Sequence, residues 1–208
     1  MKMKFAWMPA LVLLVLLPAC RTREEAPTPA AEPEVVVEEQ AALVAVAVLK
    51  ARADSEASGT VTFTEVDGGV EVVADIARVA PGPHGIHLHE FGDCSTEDFT
   101  SAGGHFNPAD VPHGGPADSV RHAGDFGNIE IGEDGTGRLR LTTDMLTVAP
   151  GPNTVVGRAV ILHETADDLE SQPTGAAGGR IACGIVRLAG EEWIEEVAEP
   201  AEETELES

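Results

Sequence analysis

The sequence predicts an antiparallel all-β domain, a sandwich or barrel, that carries one long loop with little apolar content. Three observations lead there. Short runs rich in β-branched residues recur between Gly, Pro and Asp turns, and no segment shows a long helical repeat. Between Glu90 and Asp125 the strand pattern stops, and the chain becomes rich in Gly, Pro, Asp and His. A stretch of that length inside a compact domain is unusual unless it has a task.

The elements follow in chain order. The chain opens MKMK, then FAWMPALVLLVLLPA, then Cys20. Two lysines, an apolar run and a small residue before a processing point describe an export signal over residues 1–19. The run is short for a membrane-crossing helix, which needs about 20 apolar residues. Its ending, LPAC, resembles a bacterial lipobox, with Leu17, Ala19 and Cys20 in the places of that pattern and Pro18 a less usual occupant. That resemblance implies that Cys20 is lipidated and anchors the chain. The alternative is an ordinary signal peptide cut nearby, leaving Cys20 an unpaired thiol. Residues 20–40 are then a Pro/Ala/Glu spacer without apolar periodicity.

Residues 41–190 form the folded domain. ALVAVAVLK (42–50) is an apolar, β-branched run. GTVTFTEVD (59–67) alternates Val61, Phe63 and Glu65 against Thr60, Thr62 and Thr64, and VEVVADIARV (70–79) follows Gly68-Gly69. Two such runs around a Gly-Gly pair read as a hairpin. FGNIEIGEDGTGRLRL (126–141) reads as a second hairpin turning at Asp134-Gly135. VVGRAVILH (155–163) and RIACGIVRL (180–188) read as further strands. Residues 191–208 carry nine glutamates and no base, a solvated acidic tail. A partner-binding role for that tail is the less favoured reading.

The net charge of −23 is shared unevenly: +2 in the signal, −4 in the spacer, −9 in the tail and −12 in residues 41–190. The folded part is itself acidic. Nucleic acid and anionic headgroups are therefore excluded as partners on electrostatic grounds. Membrane attachment would come only through an N-terminal lipid. There are three cysteines, Cys20, Cys94 and Cys183, and an odd count in an exported protein needs an explanation. Lipidation of Cys20 supplies one. Cys94 and Cys183 remain as a pair, in a compartment where a disulfide can persist.

The histidines carry the chemistry. In GIHLHEFGDC, His87 and His89 are separated by one residue. On a strand, residues i and i+2 share a face, roughly 6.6 Å apart, and two imidazoles so placed can converge on one ion. Taken alone, the pair is also compatible with a solvated polar face. The long loop adds GGHFNP, VPHGGP and RHAGDFG, with spacing H-x7-H-x8-H-x2-D from His105 through His113 and His122 to Asp125. Three imidazoles and a carboxylate make a closed tetrahedral set that suits Zn²⁺. His87, His89 and His163 supply further imidazoles, and an all-nitrogen set with open access suits Cu²⁺. Two ions sharing one imidazole need six histidines, since each ring has two nitrogens.

The stretches GIHLHEFGDC, SAGGHFNP, HGGP, RHAGDFGN, ILHETADDL and TGAAGGRIACG resemble those of copper/zinc superoxide dismutase, in the family's order, over roughly residues 42–189. The resemblance implies an immunoglobulin-like Greek-key sandwich or barrel with a long metal-binding loop. It implies dismutation of superoxide to O2 and H2O2 by a copper centre bridged to a structural zinc. His87, His89 and His163 would bind copper, and His105 would bridge the metals and donate a proton. His113, His122 and Asp125 would complete the zinc site. Cys94 and Cys183 would form a disulfide tying the loop to the last strand. Arg180 would stand beside the copper and attract superoxide. Asp167 would link a copper histidine to a zinc histidine. His84 fits no ligand position and is expected to pack or hydrogen-bond.

The loop between His163 and Arg180 lacks the lysine-bearing insertion of the animal enzymes. With an acidic domain, attraction of an anion should be weak at long range, and the rate should depend weakly or inversely on salt. The location implied is the periplasm or cell envelope, as monomer or homodimer. The competing function is a non-catalytic copper/zinc-binding lipoprotein on the same fold. Relatives of that kind usually lack copper ligands or the arginine, and none is missing here.

Overall fold

A computed structural model describes residues 42–190. The export signal, Cys20, the spacer and the acidic tail lie outside the described residues.

Eight strands carry the fold: β1 Val44–Ala51, β2 Ser58–Val66, β3 Gly69–Ala77, β4 Gly82–His89, β5 Asp125–Ile131, β6 Thr136–Thr143, β7 Ala159–His163 and β8 Arg180–Leu188. All neighbours pair antiparallel, in the order β5-β4-β7-β8-β1-β2-β3-β6. β6 returns to lie beside β3, and β7 beside β4. This is Greek-key winding, and it closes the sheet into a near-complete barrel. The only helix among the described residues is a 3-10 turn at Thr100–Ala102.

The alternation in the sequence sets the inside. Ala45, Ala47 and Leu49 of β1, Val61 and Phe63 of β2, and Val70, Val72, Ala74 and Ile76 of β3 are buried together with Ile86, Leu88, Phe126, Ile129, Val160, Leu162 and Val186. Burying each large side chain stabilises by about 1.5–3 kcal/mol, and this shared interior holds the barrel. Glu65 occupies an inward parity position, but at the barrel's end. Its carboxylate accepts the N–H groups of Val148 and Ala149 at 3.0 and 3.1 Å, so it ties down the segment after β6.

Three details differ from the sequence reading. The first hairpin turns at Asp67-Gly68, and Gly69 already pairs with Val66. A Cβ at Gly69 would lie 2.1 Å from the Thr143 carbonyl, so the close approach of β6 explains the glycine. The segment 126–141 does turn tightly, with Gly132 N–H donating to Thr136 O at 2.8 Å, but its strands do not pair with each other. β5 pairs with β4 and β6 with β3, because the turn crosses from one end of the strand order to the other. In 155–163 only Ala159–His163 is strand. Residues 155–158 turn instead, with Arg158 N–H on Val155 O and Gly157 at φ 80°.

Candidate metal centre

β4 is buried from His84 to His89. Ile86 and Leu88 join the core, and His87 and His89 occupy the opposite parity, both with no exposed surface. The long loop folds back over that face. His89 bridges to His105, Phe106 N–H donates to Leu88 O at 2.8 Å, and Leu88 N–H donates to Gly124 O at 3.0 Å. The register shifts on both strands that meet here, between Gly85 and His87 and between Leu162 and His163. Bulges of this kind re-aim side chains, and these two fall at histidines of the cluster.

The loop has more apolar support than its composition suggested. Phe106 and Ala123 enter the main core. Phe99 and Ala102 pack with Ala159, Ile161 and Cys183 in a second cluster. Cys94 and Cys183 form a disulfide, with Cα atoms 5.9 Å apart, which ties the loop to β8 beside that cluster.

Two groups of ligand-bearing side chains form. His87, His89, His105 and His163 make one, and His105, His113, His122 and Asp125 make the other. In each, one ligand atom per residue lies within 4.8 Å of the rest, and every member is buried. His105 belongs to both. Its ring stacks on that of His87 with centroids 3.9 Å apart.

Hydrogen bonds select which nitrogen of each ring is free. His87 Nε2 faces Asp167 Oδ2 at 2.8 Å, His89 Nδ1 faces Gly103 O at 3.0 Å and His163 Nδ1 faces Gly178 O at 3.4 Å. An acceptor at one nitrogen places the proton there and leaves a lone pair on the other. The nitrogens so left, His87 Nδ1, His89 Nε2 and His163 Nε2, are buried without a hydrogen bond, as is His105 Nε2; His113 Nδ1 makes none either, although Asp125 Oδ1 lies 3.0 Å from it. Each unsatisfied buried acceptor costs about 1–3 kcal/mol, so the four of His87, His89, His105 and His163 in one place mark a built receptor for a cation. In the second group Asp125 Oδ1 lies 2.8, 3.0 and 3.2 Å from the Nδ1 atoms of His105, His113 and His122. Four nitrogens suit copper, and three nitrogens with one carboxylate suit zinc.

The electrostatics agree with neutral, ligating rings. Burial, and then the other imidazoles, push His87 and His89 well below the usual histidine range. His163 falls to about 4 for the same reasons. Burial also lowers His105. For Asp125, burial works upward, but the His105 N–H and the His122 backbone N–H outweigh it and hold the carboxyl at about 2.

Arg180 is half-buried at the start of β8. Its Nη1 donates to Phe99 O at 2.5 Å and its Nη2 to Gly103 O at 2.7 Å. Its charge is among the influences that depress His89 and His163. Asp167 joins the two groups, with Oδ2 on His87 Nε2 and Oδ1 on His113 Nε2 at 3.0 Å. His84 lies outside both groups, its ring nitrogens each 2.9 Å from a carbonyl, those of His163 and Ala80. The structure thus gathers every site residue expected in the described region. The sequence reading missed Asn128, Gln172 and the carbonyls of Phe99 and Gly103. Backbone acceptors leave no trace in residue identity. An amide that binds backbone across 39 or 59 positions has no local signal either.

The chain matches the family model described as copper/zinc superoxide dismutase over residues 57–186. Among solved structures it is similar to the crystal structure of the clock protein EA4. The identity is 43% and the TM-score 0.63, over 69% of this chain and 93% of that one.

Proposed function

The chain belongs to the copper/zinc superoxide dismutase family, and from that premise we propose that it dismutates superoxide to O2 and H2O2. The observation that carries the reading is the set of buried, partnerless ring nitrogens at His87, His89, His105 and His163, next to the three-histidine, one-aspartate set that shares His105. His87, His89, His105 and His163 would hold copper. His105, His113, His122 and Asp125 would hold zinc. Copper, when bound, supplies the one-electron chemistry, and zinc, which has no redox chemistry, fixes the loop and the shared ring.

The chain's own residues do the rest. Arg180 presents a permanent positive charge that draws the anion in, and its fork is held by two carbonyls so that it does not wander. His105 turns Nε2 to the copper side and Nδ1 to the zinc side, so Nε2 is the atom at which a proton can be held for the product. Solvent supplies the second proton of H2O2. Asp167 keeps Nε2 of His87 protonated and so keeps Nδ1 free to ligate.

The same reading places the protein in the cell envelope, carried there by residues 1–19 and anchored through lipid on Cys20. Cys20→Ala should release it from membranes, and a membrane fraction unchanged by that substitution would remove the anchor from the reading.

The test is superoxide dismutation by residues 21–208, with copper and zinc measured on the same sample. Activity proportional to copper and lost in His87→Ala supports the enzyme. Full occupancy by both metals without activity would make the protein a non-catalytic metal binder on this fold.

A further inference from the structure

We propose that two side-chain amides, Gln172 and Asn128, are positioning residues that set the chain's affinity for zinc by fixing His113 and Asp167. The inference rests on the metal reading above and deepens it. Neither amide belongs to either ligand group.

Gln172 accepts the His113 backbone N–H at Oε1, at 2.7 Å, and donates from Nε2 to the His113 carbonyl at 2.9 Å. Asn128 treats Asp167 the same way: its Oδ1 accepts the Asp167 N–H at 2.7 Å and its Nδ2 donates to the Asp167 carbonyl at 2.8 Å. Each amide makes the pair of bonds that a neighbouring strand would make, in a place where no strand runs. His113 and Asp167 then meet through their side chains, His113 Nε2 to Asp167 Oδ1. Both backbones are pinned and the side chains joined, so the orientation of the His113 ring is over-determined. That ring must offer Nδ1 to zinc, and the Asp167 bond at Nε2 assigns the proton that leaves Nδ1 free.

The loop between β7 and β8 has few other ways to hold this geometry. Ala177 is its one buried aliphatic residue after Asp167. Gly175, at φ +65°, passes so close that a Cβ there would lie 1.7 Å from Asp167 Oδ1 and 2.7 Å from His113 Nε2. The loop thus lies directly over the His113–Asp167 bond. An amide sets a donor and an acceptor side by side at one side-chain end, which a carboxylate or an alkyl chain cannot do. Gln172 is itself exposed, so its replacement empties no core.

The experiment uses the full chain in detergent, in six forms: parent, Gln172→Ala, Gln172→Glu, Asn128→Ala, Asp167→Asn, and Asp167→Asn combined with Gln172→Ala. Zinc affinity is measured by competition with a chromogenic chelator. Cobalt placed in the zinc group reports coordination through its visible spectrum. The alanine variants should bind zinc about tenfold to a hundredfold more weakly, the range for losing an outer partner of a ligand, with an altered cobalt spectrum. Gln172→Glu keeps the acceptor but loses the donor, and should fall between parent and alanine. In an Asp167→Asn background the effect of Gln172→Ala should shrink, as for residues that act through one another. A merely structural role would lower the melting temperature and leave the cobalt spectrum as it was. Zinc affinities within about twofold of the parent, with unchanged spectra, would overturn the inference and leave the metal reading standing. A parent chain that takes up neither zinc nor cobalt would overturn both.

Discussion

Arg180 and His89 donate to the same oxygen, the Gly103 carbonyl, at 2.7 and 3.0 Å. One backbone atom of the long loop therefore fixes both the cation proposed to draw in superoxide and an imidazole of the copper-side group. Arg180→Ala removes the charge and one of two donors on that carbonyl. One unit charge acting over several ångströms at intermediate dielectric is worth about 1–2 kcal/mol, so kcat/KM should fall about tenfold at unchanged copper content. Arg180→Lys should fall between, since a compact ammonium cannot serve Phe99 O and Gly103 O as a fork does. Stopped-flow rates per bound copper decide it, and an alanine variant at the parent rate would remove Arg180 from the mechanism.

Salt should do little. Lys50 is the only lysine in residues 42–190, and the domain carries −12. Long-range attraction of an anion is then absent or reversed, and only charge within about one Debye length, 8 Å at physiological salt, can help. Raising ionic strength should leave kcat/KM flat or lift it slightly. A steep fall with added salt would show a positive field that this charge distribution does not predict.

The disulfide should serve the site as well as the fold. The loop that Cys94 anchors carries both carbonyls that hold Arg180, and Phe99 and Ala102 pack beside Cys183. Cys94→Ser with Cys183→Ser should cost about 2–5 kcal/mol of stability. It should also reduce kcat/KM in the molecules that remain folded. Chemical denaturation and kinetics on the same sample separate the effects. A loss of stability with an unchanged rate per copper would confine the bond to a structural role.

Much of this was legible in the sequence because periodicity reports burial. Val61 and Phe63 against three threonines gave β2 its inward face, and His87-x-His89 gave two rings on one face. Pairing was less legible. Asp134-Gly135 announces a turn, but nothing local says that β5 and β6 leave it for opposite ends of the strand order. Val155 and Val156 have strand propensity, yet Gly157 turns the chain and the strand begins only at Ala159. Propensity there yields to tertiary context. In the loop, Phe99 and Phe106 carry no periodic signal, because their packing partners are distant in sequence.

Asp125→Asn should empty the zinc side first. One oxygen of Asp125 lies within 3.2 Å of three ring nitrogens, and its other oxygen accepts the backbone N–H groups of His122 and Gly114 at 2.8 and 3.2 Å. A neutral amide loses the charge that closes the set and turns a donor toward one of these groups. Zinc content after dialysis should drop to a small fraction of the parent's while copper is still taken up. Equal zinc retention would mean that the three histidines suffice.

The metal-free chain should lose stability as the pH falls from about 6.5 toward 4, and the sign follows from the buried rings. An imidazole in the unfolded chain titrates near 6.5. In the fold, burial and then the neighbouring rings hold His87 and His89 well below that, and His163 at about 4. Between those values the unfolded chain binds protons that the folded chain refuses, so acid favours unfolding. The contribution is fully present above 6.5, and for His163 alone its loss amounts to ~3 kcal/mol. Asp125 acts in a lower window. Its carboxyl, at about 2 in the fold, stabilises above the ordinary 3.8 and is lost only below it. The melting temperature of chelator-stripped protein should therefore drop steadily between pH 7 and pH 4.5 through the histidines alone. His163→Phe, which cannot take up a proton, should make that slope shallower. A melting temperature that stays level across the window would mean that the rings take up protons in the fold as readily as in the unfolded chain, so that burial does not hold them as neutral, ready ligands.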